Sequence, residues 1–499
     1  MKEGKMMKKH LFIFAIALVT GFGLVSCIEN DVNEDSSVQG YRIDIPVQAV
    51  STKAVADDGG KAVATYKTTE NVYVYNATTS TIDDGVLHPT ADATETTFSG
   101  TLNKTYSVGN TLKVLYNTNS QGVVDYSDQD GTIEGVKDAG MGEVTISSVS
   151  SGVITTNTAQ LDNLQSIFRF TFKDKATSED LGKNVRFVRI FSTGGYLQAQ
   201  YDAVKNKAEY GPVTISREEN LPNNFVYAGL RLDKHNDELV FQVITKGGKV
   251  YSGSKTAPSG GFDMGKFYKA TVELDLYTFT VASDTKVYFS PGDLGLEIVN
   301  GESVYSFTEP FTDWGHGNTT NYNDATVAAK DVAKRVWFDF YFESGLASHD
   351  LYGIANWRIP KKVSSAVESY EWNYLVDSRT MNSGVERYYM VTIPGHQYCL
   401  LLPPDETKSS DIGSDLTSGS VSGNDYIKYL GKGFVLLFNT GRGIYSGSWS
   451  WGSSSSGFYW AVNDGSNRYY FTWPDASPKV DWGSNRMRNH IRYIHDANN

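Results

Sequence analysis

Cysteine and proline are scarce: two Cys, Cys27 and Cys399, and 13 Pro in 499 residues. A disulfide-stapled scaffold and a collagen-like repeat are both excluded. A basic excess is missing as well, since 45 Lys and Arg stand against 57 Asp and Glu for a net charge of −12, and no Arg lies between Arg42 and Arg169. Proteins that neutralise phosphates need a basic stripe, so nucleic acid is excluded as a partner. The chain has no His-Glu-x-x-His, Cys-x-x-Cys, Walker loop or Gly-x-Ser-x-Gly, the common signatures of zinc, redox, phosphate and serine-hydrolase chemistry. No catalytic residue, metal ligand or cofactor is assigned, and an enzyme is not expected. Trp is absent from the first 313 residues, all nine lying at or beyond Trp314. So abrupt a change of composition marks a domain boundary.

What is present is a globular composition, with 40% hydrophobic and 20% charged residues, 31 Tyr, 24 Phe and 47 Gly. That is ample for several domains. The chain opens with Lys2, Lys5, Lys8 and Lys9, followed by an uncharged, mostly apolar run over residues 11–24. The run is shorter than the ~20 residues that span a bilayer, and the pattern is that of a signal peptide, residues 1–26. Its end, Leu24-Val25-Ser26-Cys27, resembles a bacterial lipobox, which implies cleavage before Cys27 and acylation of that cysteine. Cys399, within Tyr398-Cys399-Leu400-Leu401-Leu402, reads as a small hydrophobe in a buried strand.

From residue 41 to about 276 the sequence runs in short alternating segments separated by Gly, Asn, Asp and Ser, the pattern of an all-β region. Phe168, Phe170 and Phe172 alternate with Arg169 and Thr171; Ala270, Val272, Leu274 and Leu276 alternate with Thr271, Glu273 and Asp275. Each such strand predicts one core face and one wet face. The number of strands predicts two β-sandwiches, residues 27–160 and 161–277, with a junction near 157–164. Residues 278–499 change to Trp-rich strands with helices starting at Ser369 and Asn424, an α+β pattern; residues 324–342 read as helix or strand. The acidic cluster Asp125, Asp128, Asp130 ahead of Gly131 reads as a solvated turn, because Tyr126 and Lys137 stand where an EF-hand needs ligands.

Several features in order resemble the fimbrillin family, the lipoprotein pilins of certain Gram-negative bacteria. They are the lipobox Cys27, a first strand over residues 41–47, the Ser51-Thr52-Lys53-Ala54 step, Asn71-Val72-Tyr73-Val74-Tyr75, the strand over 164–172, and Gly265-Lys266-Phe267-Tyr268. The resemblance implies two transthyretin-like sandwiches, an outer-membrane lipid anchor, and proteolytic maturation between Lys53 and Ala54. Loss of the first strand then leaves a groove for a donor strand from another pilin subunit. Tyr41, Ile43, Ile45 and Val47 alternate with Arg42, Asp44 and Pro46, and Pro46, lacking an N–H, suggests an edge strand.

The C-terminal part is similar to C-type-lectin-like domains. The matching residues are Lys286-Val287-Tyr288-Phe289-Ser290-Pro291-Gly292, Trp357-Arg358, Glu371-Trp372-Asn373-Tyr374-Leu375 with Arg379, Leu400-Leu401-Leu402-Pro403, Gly457-Phe458-Tyr459-Trp460 and Ile491-Arg492-Tyr493-Ile494. Calcium-dependent sugar binding does not come with this resemblance: Asn463-Asp464 follows Trp460, but Pro404-Asp405-Glu406 has the wrong order for a partner motif. Trp449 and Trp451 are the ligand-binding candidates, for a host or bacterial surface glycan or protein. Residues 491–494 read as a strand already paired in its own domain, and His495 to Asn499 offer a single alanine, too little to fill a groove. The expectation is therefore an accessory or tip subunit of a cell-surface pilus, lipid-anchored before assembly. The rival is a glycan-binding surface lipoprotein that never polymerises.

Overall fold

The computed structural model describes residues 40–48, 56–58, 61–63, 65–136, 138–217, 224–232, 236–282, 285–299, 302–308, 338–339, 348–363, 370–376, 385–393, 396–437, 443–445, 449–451, 456–461, 468–474, 478–483, 487–489 and 492–497. They are mainly β. No helix among them is long and apolar enough to cross a membrane.

Alternation of apolar and polar residues builds the first unit. Its principal strands are β1 (Tyr41–Gln48), β2 (Val72–Asn76), β3 (Leu87–Pro89), β4 (Thr96–Leu102), β5 (Thr111–Tyr116), β6 (Gly140–Ser150), β7 (Val153–Thr156) and β8 (Ala159–Gln160). The order is β7-β1-β4-β3-β2-β5-β6, and β6 pairs back onto β7, so the strands form a closed ring. Ile43, Val74, Leu87 and Val114 fill the interior, where Tyr66 meets Phe98 and Tyr116 edge-on with ring centroids 5.3 and 5.1 Å apart. Closure corrects the edge-strand expectation: β1 has a neighbour on both sides.

The second unit contains β9 (Ser166–Asp174), β10 (Val185–Ser192), β11 (Val213–Ser216), β12 (Val226–Leu230), β13 (Leu239–Thr245), β14 (Val250–Lys255) and β15 (Phe267–Leu276). Their order is β11-β10-β13-β14-β15-β9-β12. The first and last strands lie parallel, in register from Ile167 opposite Phe267 to Asp174 opposite Leu274. Phe168, Phe170 and Phe172 are fully buried, and Phe170 meets Phe241 of β13 edge-on at 5.1 Å.

The first unit reaches into the second through residues 123–129. Val123–Asp125 pairs with Gln198–Asp202, and Asp128–Gln129 pairs with β11. The Gln129 carboxamide clasps the backbone of Gly229, donating from Nε2 to its carbonyl at 2.9 Å and accepting its N–H at 2.8 Å. The acidic cluster serves this junction: Asp125 accepts from the Ser127 N–H and Gln200 Nε2, Asp128 from the Thr214 hydroxyl, and Asp130 from the Thr132 N–H.

Strands β10 and β13 depart from the one-wet-face expectation, because every residue in both is buried. Val188, Ile190, Phe241 and Val243 face the unit's own core. On the other face Phe191 and Val240 join a cluster with Tyr389, Val391, Ile427 and Leu430 of the C-terminal part. The C-terminal part thus docks on a sheet face, which keeps that face dry.

That part is organised on a five-stranded sheet of β16 (Phe279–Ala282), β17 (Thr285–Phe289), β18 (Ser348–Leu351), β19 (Ile354–Arg358) and β20 (Ile494–Asp496), in the order β16-β17-β20-β19-β18. Strand β20 is paired on both sides, with Ile494 opposite Phe289 and Arg358. It begins three residues later than expected. Entry into the sheet is fastened by Pro404-Asp405-Glu406. Thr278 donates its N–H and hydroxyl to Glu406 at 3.0 and 2.7 Å, and the Thr280 hydroxyl donates to Asp405 at 2.6 Å. The helices α1 (Glu371–Leu375), α2 (Ser414–Ser418) and α3 (Tyr426–Leu430) have five residues each. The first and third answer to the expected starts at Ser369 and Asn424, and α2 was not foreseen. Of residues 324–342 only a two-residue strand at 338–339 is described.

Candidate functional site

Strand β1 is the element with the clearest functional geometry. It runs antiparallel to β4 from Tyr41 opposite Leu102 to Val47 opposite Thr96. On its other side it runs parallel to β7 at Arg42 and Ile43, and to β8 at Val47 and Gln48. The Arg42 N–H donates to the Gly152 carbonyl at 2.8 Å, and strand backbones alternate sides, so the Pro46 nitrogen is turned the same way. It falls at the step between β7 and β8, where the parallel ladder is interrupted and no donor is needed. Ile43, Ile45 and Val47 are 0, 0 and 3% exposed, each worth roughly 1.5–3 kcal/mol of burial. The outward Arg42–Asp44 ion pair, at 3.1 Å between exposed side chains, adds little.

The start of β1 rests against a buried polar hub. Asp83, 1% exposed, accepts the N–H groups of Gly85, Asn103 and Lys104 and the Tyr106 hydroxyl at 2.7 Å, and the Tyr106 ring meets Tyr41 edge-on at 6.0 Å. Burial, and then the Asp83 carboxylate, push the Tyr106 phenol well above the ordinary tyrosine range. Burial does the same to Tyr66 and Tyr126. A phenol raised in the folded state contributes stability that is complete below its unfolded pKa of about 10 and is lost as pH rises toward the folded value. Ultraviolet titration is expected to show these tyrosines ionising only together with alkaline unfolding. Smooth ionisation near pH 10 with the fold retained would contradict their burial.

In the C-terminal part, residues far apart in sequence meet around Arg358. Its guanidinium forks onto Glu371, at 2.7 and 2.8 Å, and also donates to Asp496 of β20. Burial works against the charge, and the two carboxylates outweigh it, holding Arg358 above the usual guanidinium range. Beside it Trp357 and Trp372 are fully buried, and Phe471 stacks on Trp372 with centroids 4.7 Å apart. A second buried pair, Arg492 and Asp293 at 3.3 Å, ties residues close to β20 to the segment after β17.

Cys27, Lys53 and Ala54 lie outside the described residues. Trp449 and Trp451 lie two positions apart on a short strand opposite Tyr445 and Gly443; their side chains are outside the described residues. Cys399 is fully buried on the strand His396–Leu402, as its apolar setting predicts. Among the described residues no group of His, Cys, Asp and Glu is placed to hold a metal. Sequence reasoning missed the parallel neighbours of β1 and the docked face of β10. The second left a signal: Val185-Arg186-Phe187-Val188-Arg189-Ile190-Phe191 carries five apolar residues in seven, a near-continuous run typical of a strand buried on both faces.

No family profile matches the chain, and no curated protein matches it. Among solved structures it is similar to a provisionally assigned cell adhesion protein of Bacteroides uniformis, at 13% identity over 47% of this chain and 96% of that one, with a TM-score of 0.31. It is similar to a fimbrial assembly protein of Parabacteroides distasonis at 10% identity over 50% and 94%, with a TM-score of 0.26. The tip fimbrial protein of Porphyromonas gingivalis, with a C-terminal truncation, aligns at 13% identity over 44% and 85%, with a TM-score of 0.23. Each alignment takes in about half of this chain.

Proposed function

We propose that the protein is an accessory or tip subunit of a cell-surface pilus, anchored in the outer membrane through lipid on Cys27 before assembly. In this reading two transthyretin-like β-sandwiches carry a C-type-lectin-like domain that presents an adhesive surface around Trp449 and Trp451, for a surface glycan or protein. The carrying observation is the setting of β1, which lies between neighbours on both sides, antiparallel along residues 41–47 and parallel at 42–43 and 47–48, and buries three aliphatic side chains. Its release would leave an apolar trough with hydrogen-bonding edges on either side, the receptor a donor strand requires. Of the basic residues near β1, Arg42 lies within the paired strand itself and Lys61 within the hairpin of Ala56–Asp58 and Lys61–Val63. A protease that binds its substrate as an extended chain is thereby directed to Lys53.

N-terminal sequencing of protein taken from assembled pili is expected to begin at Ala54, and a terminus still at Cys27 in polymerised material would refute maturation after Lys53. Cys27→Ala is expected to abolish lipid labelling and release the protein from membranes; undiminished labelling would count against the anchor. The closure of the ring by β1 itself favours a second reading, a glycan-binding surface lipoprotein that is complete without a donor. Lys53→Ala separates the two: it blocks incorporation into pili in the first reading and leaves glycan binding and location unchanged in the second.

A further inference from the structure

Docking of the C-terminal part on the second unit leaves a cleft of about 180 Å³ between them. Its buried apolar lining is Phe191, Leu197 and Ile427; Tyr210, 54% exposed, and Tyr426 flank it; and Asn424 supplies a carboxamide. No charged side chain is among the described residues that line it. A charged ligand would leave water with no counter-charge to meet it, so the cleft suits a neutral one. A cavity of about 150 Å³ holds a single benzene-sized ring, which limits the occupant to one ring.

Within that limit the lining selects further. A pyranose has an apolar C–H face and a rim of hydroxyls, and an exposed tyrosine beside an amide offers a stacking surface and hydrogen bonds to match. The polar wall is built with close tolerance. Asn424 donates from Nδ2 to the Gly194 carbonyl at 3.3 Å, and the next residue, Gly195, has φ +72°, with an added Cβ placed 1.9 Å from Asn424 Nδ2. Only glycine allows both the turn and the approach of Asn424. We propose that this cleft binds one neutral pyranose residue of a glycan, stacked on Tyr210 and hydrogen-bonded by Asn424. The proposed contacts are made by Tyr210 and Asn424 and not by Trp449 and Trp451, and they do not depend on whether the chain polymerises.

The test is saturation-transfer NMR on the full chain with methyl α-D-glucopyranoside, methyl β-D-galactopyranoside and methyl α-D-mannopyranoside. At least one is expected to bind with a millimolar dissociation constant, with transfer concentrated on the protons of one ring face. Tyr210→Ala and Asn424→Ala, both at exposed positions, are each expected to weaken it about tenfold, and Gly195→Ala to do so by displacing Asn424. Tyr210→Phe should keep the stack and the binding, as should Trp449→Ala combined with Trp451→Ala. Methyl α-D-glucuronide should bind more weakly than the glucoside. Absence of transfer from all three neutral glycosides, or binding untouched by Tyr210→Ala and Asn424→Ala, would overturn the proposal, as would binding lost with the two tryptophans.

Discussion

Ile45→Asp is expected to destabilise the first unit by about 4 kcal/mol or more, a large fraction of the stability of an ordinary domain. Ile45 is fully buried at the middle of β1, opposite Phe98. The substitution removes its apolar burial and leaves a carboxyl facing the interior of the ring. Its closest control is Arg42→Ala on the outward side of the same strand, expected to change stability by no more than about 0.5 kcal/mol because the Arg42–Asp44 pair is exposed. Hydrogen exchange of the β4 and β7 amides reads the effect directly, since those strands border β1. If cleavage after Lys53 follows local opening of β1, each 1.4 kcal/mol lost should also raise its rate about tenfold. Equal exchange in Ile45→Asp and wild type would mean that β1 is not seated in the ring at all.

The half of this arrangement that was legible in the sequence is the half carried by alternation. Tyr41 to Val47, Phe168 to Phe172 and Ala270 to Leu274 each show two-residue periodicity, and each is a strand with its apolar side inward. The other half depends on partners that no periodicity specifies. The parallel neighbours of β1 are Val153–Thr156 and Ala159–Gln160, short segments of mixed polarity, and ring closure is a contact across more than a hundred residues. Pro46 was informative but pointed to the wrong conclusion: its missing N–H marks a gap between two neighbours, not a free edge. Arginine in a strand ordinarily marks a wet face. Arg189 instead spans the docked interface and donates to the Pro291 carbonyl at 2.7 Å, which a side chain of that length permits. All three helices have five residues, but α1 and α3 carry Trp372 with Leu375 and Ile427 with Leu430 as a spaced apolar signal, whereas α2 has only Leu416 and so shows no period. The cleft beside Tyr210 draws its lining from residues between Phe191 and Ile427, and such a site has no local signature.

Arg358→Ala is expected to destabilise the C-terminal part by about 3–5 kcal/mol, the usual result of breaking a buried ion pair by removing one partner. The asymmetry of the site sets where that energy falls. Asp496 keeps 31% of its side-chain surface and can be rehydrated, whereas Glu371 keeps 2%. Without the guanidinium, Glu371 would retain the Lys361 N–H, at 2.7 Å, against a full negative charge. Replacing both partners removes that charge. The double variant Arg358→Met, Glu371→Met is therefore expected to recover most of the loss, because apolar side chains of similar volume substitute for a buried pair at little net cost. The measurement is direct, since all nine Trp lie at or beyond Trp314 and tryptophan fluorescence in a denaturant titration reports this part alone. Should the double variant prove no more stable than Arg358→Ala, the loss would belong to the packing of β19 against β20 and not to a stranded carboxylate.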